Sequence, residues 1–275
     1  MILLGIDPRT SGTRGVFVDE HGVVLSRATY SSSDTAKAAM HGGARPAGIG
    51  MVAQDGVDAS GATAVNPGAA IALAEEWTGA AKGARHVVGF SVESSVYAGV
   101  LFDGQVFGGA HGLAGAARWL ALNPVEREDY RRLGCLEAEV GGAGIVRRLV
   151  WRVKAGDQSR VVDMAGGNLT AITAAQIFEA ARAGDGVAIS VVRDTAKYIG
   201  MAVANLIAIL DPDVVVLGGS IAEAGDLLFE PTRAEMSRRV SPAALEQVSV
   251  VPAALGEDSA AIGAARAALL ASRAA

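Results

Sequence analysis

The chain has 275 residues, of which 51% are hydrophobic, and a net charge of −5 at neutral pH. This length is sufficient for one large domain or for two lobes. The hydrophobic residues form no run of about 20 that could cross a membrane, and the N-terminus lacks the pattern of a signal peptide. The single cysteine, Cys135, excludes a disulfide framework and a cysteine-rich zinc site. With no large basic cluster, we expect a soluble cytoplasmic protein that binds neither membranes nor nucleic acid.

The first part of the chain is predicted to consist of strands followed by one helix. Alternating and apolar runs predict strands over residues 2–6, 15–19, 23–29, 48–53 and 62–65, with a short helix near 34–40. Asn66 and Pro67 begin a helix that extends to about residue 81, because Asn is a good N-cap and Pro fits the first helical position.

A hydroxyl-rich loop is expected between the first two strands, over residues 7–14 (DPRTSGTR). Its Asp7, Thr10, Ser11, Thr13 and Arg14 suit a phosphate and Mg²⁺ site at the end of a strand. The same residues would also suit an ordinary hairpin turn, so both interpretations stay open.

The second part of the chain is predicted to repeat the order of strands first and helices later. Strands are expected over 87–92, 97–102, 105–107, 214–217 and 248–252. Helices are expected over 125–132, from Cys135 onward, and over 173–183, 194–210, 224–240 and 259–271. Pro231 is a candidate break in the helix over 224–240, because Pro disrupts helix interiors.

The turn Gly218-Gly219-Ser220 follows a buried strand and leads into a helical stretch. A helix N-terminus after such a strand presents free N–H groups, which favours a nucleotide phosphate. Alternatively, the glycines only relieve crowding in a βα turn.

Several segments of the second part carry the motifs of a known family: LFDGQVFGGAHGLAG (101–115), GCLE (134–137), TAAQIFEAARAGD (173–185), LDPDVVVLGGSIAEAG (210–225) and VVPAALGEDSAAIGAA (250–265). On these motifs the chain resembles the ROK family of sugar kinases and repressors. The resemblance implies a two-lobed α/β protein of the actin/hexokinase-like (ribonuclease H-like) fold, here with an abbreviated N-terminal lobe. Residues 1–82 with the final helix at 259–275 would form the small lobe, and 83–258 the larger one. The family also implies a homodimer that binds ATP, Mg²⁺ and a hexose or N-acetylhexosamine.

The resemblance places the catalytic base of the family in an Asn-Asp pair at a helix start, where this chain has Asn66-Pro67. Proline has no acid–base chemistry, so no catalytic residue is assigned, and Asp55 and Asp58 are weak substitutes. Asn66 and Glu137 are the expected substrate-binding residues. The expected nucleotide-binding residues are Asp7, Thr10, Ser11, Thr13, Arg14, Gly218, Gly219 and Ser220.

Other family positions are also changed. The second phosphate loop, Gly-Thr-Gly in the family, is Glu93-Ser94-Ser95 here, and Arg9 stands where the first loop should approach phosphate closely. Ala116 and Trp119 replace the sugar-binding Glu and His, and Trp119 is expected to fill the sugar position. Glu128 and Tyr130 replace zinc-binding cysteines, so zinc is not expected.

These substitutions lead to two main hypotheses. The first is a sugar-kinase-like protein (a pseudokinase) whose sugar phosphorylation is lost or strongly impaired, with nucleotide or sugar-like ligand binding left open. The alternative is an active ATP-dependent hexose or N-acetylhexosamine kinase with rearranged site residues. A transcriptional repressor is not expected, because the sequence begins directly at the first strand, with no basic DNA-binding extension.

Overall fold

The computed structural model describes residues 1–9, 12–53, 58–93, 95–219 and 224–274. Its strands form two five-stranded sheets with the same spatial order. The first sheet has the order β3-β2-β1-β4-β5 and the second β8-β7-β6-β9-β10. In the first sheet the central strand β1 is antiparallel to β2 and parallel to β4. In the second sheet the central strand β6 is likewise antiparallel to β7 and parallel to β9. The expected mixed α/β architecture with two similar halves is therefore confirmed.

The strands of the first sheet are β1 (Ile2–Arg9), β2 (Gly12–Asp19), β3 (Val24–Tyr30), β4 (Gly48–Val52) and β5 (Thr63–Val65). Those of the second are β6 (Val87–Val92), β7 (Val96–Phe102), β8 (Gln105–Val106), β9 (Val214–Gly219) and β10 (Ser249–Pro252). The helices before residue 160 are α1 (Ser33–Lys37), α2 (Pro67–Thr78), α3 (Glu128–Leu133), α4 (Cys135–Val140) and α5 (Gly142–Lys154). The later helices are α6 (Val161–Met164), α7 (Ala174–Arg182), α8 (Gly186–Leu210), α9 (Gly225–Ser237), α10 (Pro242–Gln247) and α11 (Ser259–Ala274).

The starts of two helices are determined directly by their capping residues. The Asn66 side chain accepts a hydrogen bond from the Ala69 N–H at 2.7 Å, and Pro67 occupies the first turn of α2. Thr173 caps α7 with a reciprocal capping box to Gln176. Among the described residues, no helix combines the length and the apolar character needed to cross a membrane.

Helices α2 and α11 lie against each other and against both sheets. Helix α2 contacts β6 and β7, and α11 contacts β1 and β4. Small residues permit this close approach: a Cβ on Gly99 would lie 1.9 Å from the Ala69 nitrogen, and one on Gly263 would lie 1.7 Å from the Ala70 oxygen. The N-terminus of α2 is thereby held rigidly over the second sheet. The division into lobes at residues 82 and 258 stays a prediction.

The structure corrects three local expectations. The predicted loop over 7–14 is shorter, because β1 continues to Arg9 and β2 begins at Gly12, with Asp7 opposite Arg14. Pro231 does not interrupt α9, and the helix residues Leu228, Thr232 and Met236 on either side of it are buried. The short helices α6 and α10 were not predicted, although Ser241 caps α10 as Asn66 caps α2.

Candidate functional site

The candidate site is a small cleft where the ends of β1, β6 and β9 meet the turn before α11. A cavity of about 150 Å³ lies there, and Arg9, Glu93, Gly218, Gly219 and Glu257 are among its lining residues. The cleft therefore combines residues from both sheets. Among the described residues, its charged lining consists of one arginine and two glutamates.

The Arg9 side chain compensates the charge of Asp7 at the end of β1. Asp7 is 5% exposed, and its Oδ2 accepts a hydrogen bond from Arg9 Nε at 2.7 Å. Arg9 Nη2 also donates to the backbone oxygen of Glu257, which joins β1 to the turn before α11. Burial raises the pKa of Asp7, although the Arg9 guanidinium opposes this rise. The Asp7 carboxylate was predicted to contribute to a phosphate and Mg²⁺ site. Its negative charge is instead already compensated by Arg9 within the chain.

Two further residues of the predicted phosphate loop lie in β2. Thr13 is buried. Arg14 donates through Nε and Nη2 to Asp258 Oδ1 at 2.9 and 2.7 Å, and Arg27 Nε lies 3.2 Å from the second carboxylate oxygen. Arg14 is thus held in a structural ion-pair cluster instead of facing the cleft as a free cation. The predicted Thr10 and Ser11 lie outside the described residues.

Gly218 and Gly219 end β9 and line the cleft. Gly219 has a φ of +70°, and a Cβ there would lie 2.5 Å from the Val92 oxygen. A Cβ on Gly218 would lie 2.7 Å from Ile71 Cδ1. Backbone conformation and packing thus require a glycine at 219, whereas a Cβ at 218 would displace only the end of the Ile71 side chain, and neither glycine by itself indicates a nucleotide. Ser220 lies outside the described residues.

Among the residues that the structure describes in α2 and its cap, no carboxylate stands at the helix start, and the Asn66 amide oxygen is occupied in capping. Asp58 is exposed, and its carboxylate accepts hydrogen bonds from the backbone N–H and hydroxyl of Ser60 at 2.8 and 2.7 Å. These bonds lower the pKa of Asp58, which weakens it further as a general base. Asp55 lies outside the described residues.

The predicted substrate ligand Glu137 is buried, and each of its carboxylate oxygens accepts a hydrogen bond from the protein. Its Oε2 accepts from the Val96 N–H at 3.0 Å, and its Oε1 accepts from Arg118 Nη2 at 2.9 Å. Sequence reasoning missed Arg118, because no local pattern links it to a glutamate on a later helix. Trp119 is 50% exposed, so it does not form the buried plug predicted for the sugar position.

The described residues contain no group of three His, Cys, Asp or Glu side chains that could hold a metal ion. Cys135 is a free thiol. The expected lack of a zinc site therefore stays a prediction that rests on the replaced cysteines.

Comparison with known proteins relates this geometry to a family. The ROK family profile matches residues 63–271. A glucokinase from Halalkalibacterium halodurans is 32% identical over 197 residues, which cover 70% of this chain and 58% of that protein. A xylose repressor from Caldicellulosiruptor bescii is 29% identical over 171 residues, which cover 61% of this chain and 42% of that repressor. The chain thus matches less than two thirds of the length of these curated relatives.

Solved structures give the same fold over nearly the whole chain. The crystal structure of a ROK family glucokinase from Streptomyces griseus, in complex with glucose and AMPPNP, superposes with a TM-score of 0.79 at 21% identity. The match covers 98% of this chain and 100% of that one. The predicted actin/hexokinase-like fold is therefore confirmed.

Proposed function

Since this chain belongs to the ROK family, we propose that it is a sugar-kinase-like member whose phosphoryl transfer to sugars is lost or strongly impaired. The observation that carries the proposal is the start of α2. There, Pro67 occupies the first turn of the helix and the Asn66 amide caps it, and by the family resemblance Pro67 stands at the position of the catalytic base.

Phosphoryl transfer to a sugar hydroxyl requires a group that accepts the hydroxyl proton. In kinases an aspartate orients the hydroxyl and takes its proton. Loss of a general base typically lowers the rate by about 10²–10⁴. Pro67 cannot supply this function, and the exposed, low-pKa Asp58 is a poor substitute.

The cleft also fits a nucleotide poorly. The part of the cleft enclosed by described residues has a volume of about 150 Å³, below the roughly 300–1,000 Å³ of typical small-molecule sites. Although burial opposes it, Asp7 above all, and then Glu93 and Glu257, raise the pKa of the Arg9 guanidinium, so its positive charge is shared among several carboxylates. Asp7 is paired with Arg9, and these residues therefore do not fit a resident Mg²⁺.

The alternative is an active ATP-dependent hexose or N-acetylhexosamine kinase. The identity of 32% to a glucokinase supports this alternative. Under that hypothesis a nucleotide would displace the Arg9 side chain from Asp7. A homodimer is proposed in either case, by family resemblance.

Calorimetry combined with a coupled ADP-release assay distinguishes the two functions. The chain is titrated with Mg·ATP, ADP and a panel of hexoses and N-acetylhexosamines, with the Halalkalibacterium halodurans glucokinase as a positive control. We expect no sugar-stimulated ADP release from this chain, whether or not a ligand binds. Saturable release that is abolished in Asp7→Asn would establish the kinase instead.

A further inference from the structure

A second and much larger cavity lies in the helical part of the molecule. It has a volume of about 830 Å³ and lies among α3, α4, α5, α8 and α9. It shares no lining residue with the cleft at Asp7 and Arg9. Its volume is in the range of sites that bury a small organic molecule.

The charges that line this cavity are almost completely paired with each other. Four of the five lining cations lie within ion-pair distance of a lining carboxylate: Arg127 with Glu139, Arg152 with Asp157, Lys197 with Asp194, and Arg239 with Glu235. The fifth cation, Arg148, has no carboxylate at that distance in the part of the chain that the structure describes. The described lining therefore has one cation more than it has carboxylates, and Asp194, which pairs with Lys197, acts on Arg148 only from beyond ion-pair distance.

The Arg148 guanidinium is largely buried and incompletely hydrogen-bonded. Its Nη2 donates to Thr195 Oγ1, whereas Nε and Nη1 are enclosed and have no partner among the described residues. Burial lowers the pKa of Arg148 to about 10, so the side chain is still a cation at neutral pH. A buried charge without an ion-pair partner is unfavourable, and an anion in the cavity would relieve that cost by charge attraction, and by charge-assisted hydrogen bonds once the guanidinium turns toward it.

Aromatic side chains flank this cation. The Tyr198 ring centroid lies 6.0 Å from the Arg148 guanidinium carbon, and Trp151, also in the lining, is 49% exposed. The guanidinium carbons of Arg127 and Arg147 already lie 5.7 and 5.1 Å from the Trp151 ring centroid, so the exposed part of the indole is what remains to contact a flat apolar group. The cavity therefore offers one cation that can pair with an anionic group, and aromatic surface beside that cation.

We propose that this cavity binds a small organic anion: a carboxylate or phosphate ester whose charge pairs with Arg148 and whose aromatic or apolar part lies against Trp151 and Tyr198. A second copy of the chain is the competing occupant. The small ligand fits better, because the other charged groups of the lining are already paired and leave no charge pattern for a protein surface to match.

The test uses simple probes on the whole chain. Phenyl phosphate, benzoate, inorganic phosphate and the uncharged benzyl alcohol are titrated by calorimetry, with the fluorescence of Trp151 as a second readout. We expect saturable binding of phenyl phosphate or benzoate, and clearly weaker binding of benzyl alcohol and inorganic phosphate, since each offers only one of the two contacts. Trp151→Phe should abolish most of the fluorescence change and retain the heat.

Arg148→Met is the decisive variant, and Arg131→Met is its control, because Arg131 lies outside the cavity in an exposed pair with Glu126. Arg148→Met should weaken binding of the charged probe by about 10- to 100-fold, the effect of losing a hydrogen bond to a charged group. Its stability should not fall, because an unpaired buried charge has been removed. Arg131→Met should leave binding unchanged.

Three results would overturn the proposal. One is that none of the charged probes binds. Another is that Arg148→Met binds the charged probes with the affinity of the unchanged chain but is less stable. That result would make Arg148 a structural residue. The last is a dimer that Trp151→Glu converts into a monomer in sedimentation, since a second copy would then cover the cavity.

Discussion

Replacing Glu75 should strongly destabilise the protein, because this buried carboxylate joins α2 to the turn that precedes α11. Glu75 is fully buried. Its Oε2 accepts from the N–H groups of Ala80 and Ala254 at 2.8 and 3.0 Å. Its Oε1 accepts from the Leu255 N–H and the Ser259 hydroxyl at 3.0 and 3.1 Å. The same helix carries Pro67 at its other end, so Glu75 also fixes the relation between that end and the cleft.

The magnitude follows from the four donors. Leaving a buried donor unsatisfied costs about 1–3 kcal/mol. Taking the lower value for each donor, since water can enter the vacated space, Glu75→Ala should lower the free energy of unfolding by about 4 kcal/mol. Glu75→Gln retains one acceptor oxygen and two bonds, and should lose about half as much. Glu76→Ala is the matched control, because the one ion pair described for Glu76 is with Arg266 at 3.8 Å, so its loss should cost less than the loss of the four bonds of Glu75.

Urea unfolding followed by circular dichroism measures these differences, provided that the m-value is the same for all variants. The expected order of stability is the unchanged chain, then Glu76→Ala, Glu75→Gln and Glu75→Ala. If Glu75→Ala lost no more than Glu76→Ala, the four bonds would not stabilise the fold and the reasoning would be refuted.

Three further predictions concern the cleft. The Asp7 carboxyl should titrate above its ordinary pKa, and higher still in Arg9→Met, as measured by carboxyl NMR, because Arg9 opposes the rise caused by burial. Because the pKa of Asp7 is raised in the folded state, its contribution to stability is greatest in acid and is lost as the pH rises through that pKa. An Asp7 pKa at or below the ordinary value would contradict this prediction. Asp258→Asn, which weakens the pairs with two arginines, should lower the free energy of unfolding by about 1–3 kcal/mol in urea, whereas breaking the exposed pair at Glu126 should cost less than about 1 kcal/mol. Pro67→Asp should fold normally and gain no sugar-dependent turnover in the ADP-release assay, because the cleft at Arg9 is unchanged; turnover in this variant would show that only the base was missing.

Local signals in the sequence predicted those elements whose ends are determined by their own residues. Asn66-Pro67 and Thr173 place helix starts correctly, because an N-cap acts within one turn. The same signal at Ser241-Pro242 could have identified α10. Pro231 misled the prediction, because burial of Leu228 and Met236 outweighs the loss of one helical hydrogen bond.

The contacts of the site depend on long-range packing, which local patterns do not encode. Arg9 was noted as an obstacle to phosphate, but its bond to the Glu257 oxygen joins residues at opposite ends of the chain. Glu137 was expected to face a sugar, and only the fold shows that Arg118 and the Val96 N–H occupy both of its oxygens. The pairing of charges around Arg148 likewise involves residues from several helices.

The most direct test of the central claim follows the phosphoryl group itself. The chain is incubated overnight with ATP labelled in the γ-phosphate, Mg²⁺ and each hexose or N-acetylhexosamine, and the sugar fraction is then separated and counted. Our account predicts no label on any sugar above that found with heat-inactivated protein. Label that accumulates on one sugar, and is absent with the Asp7→Asn variant, would contradict it.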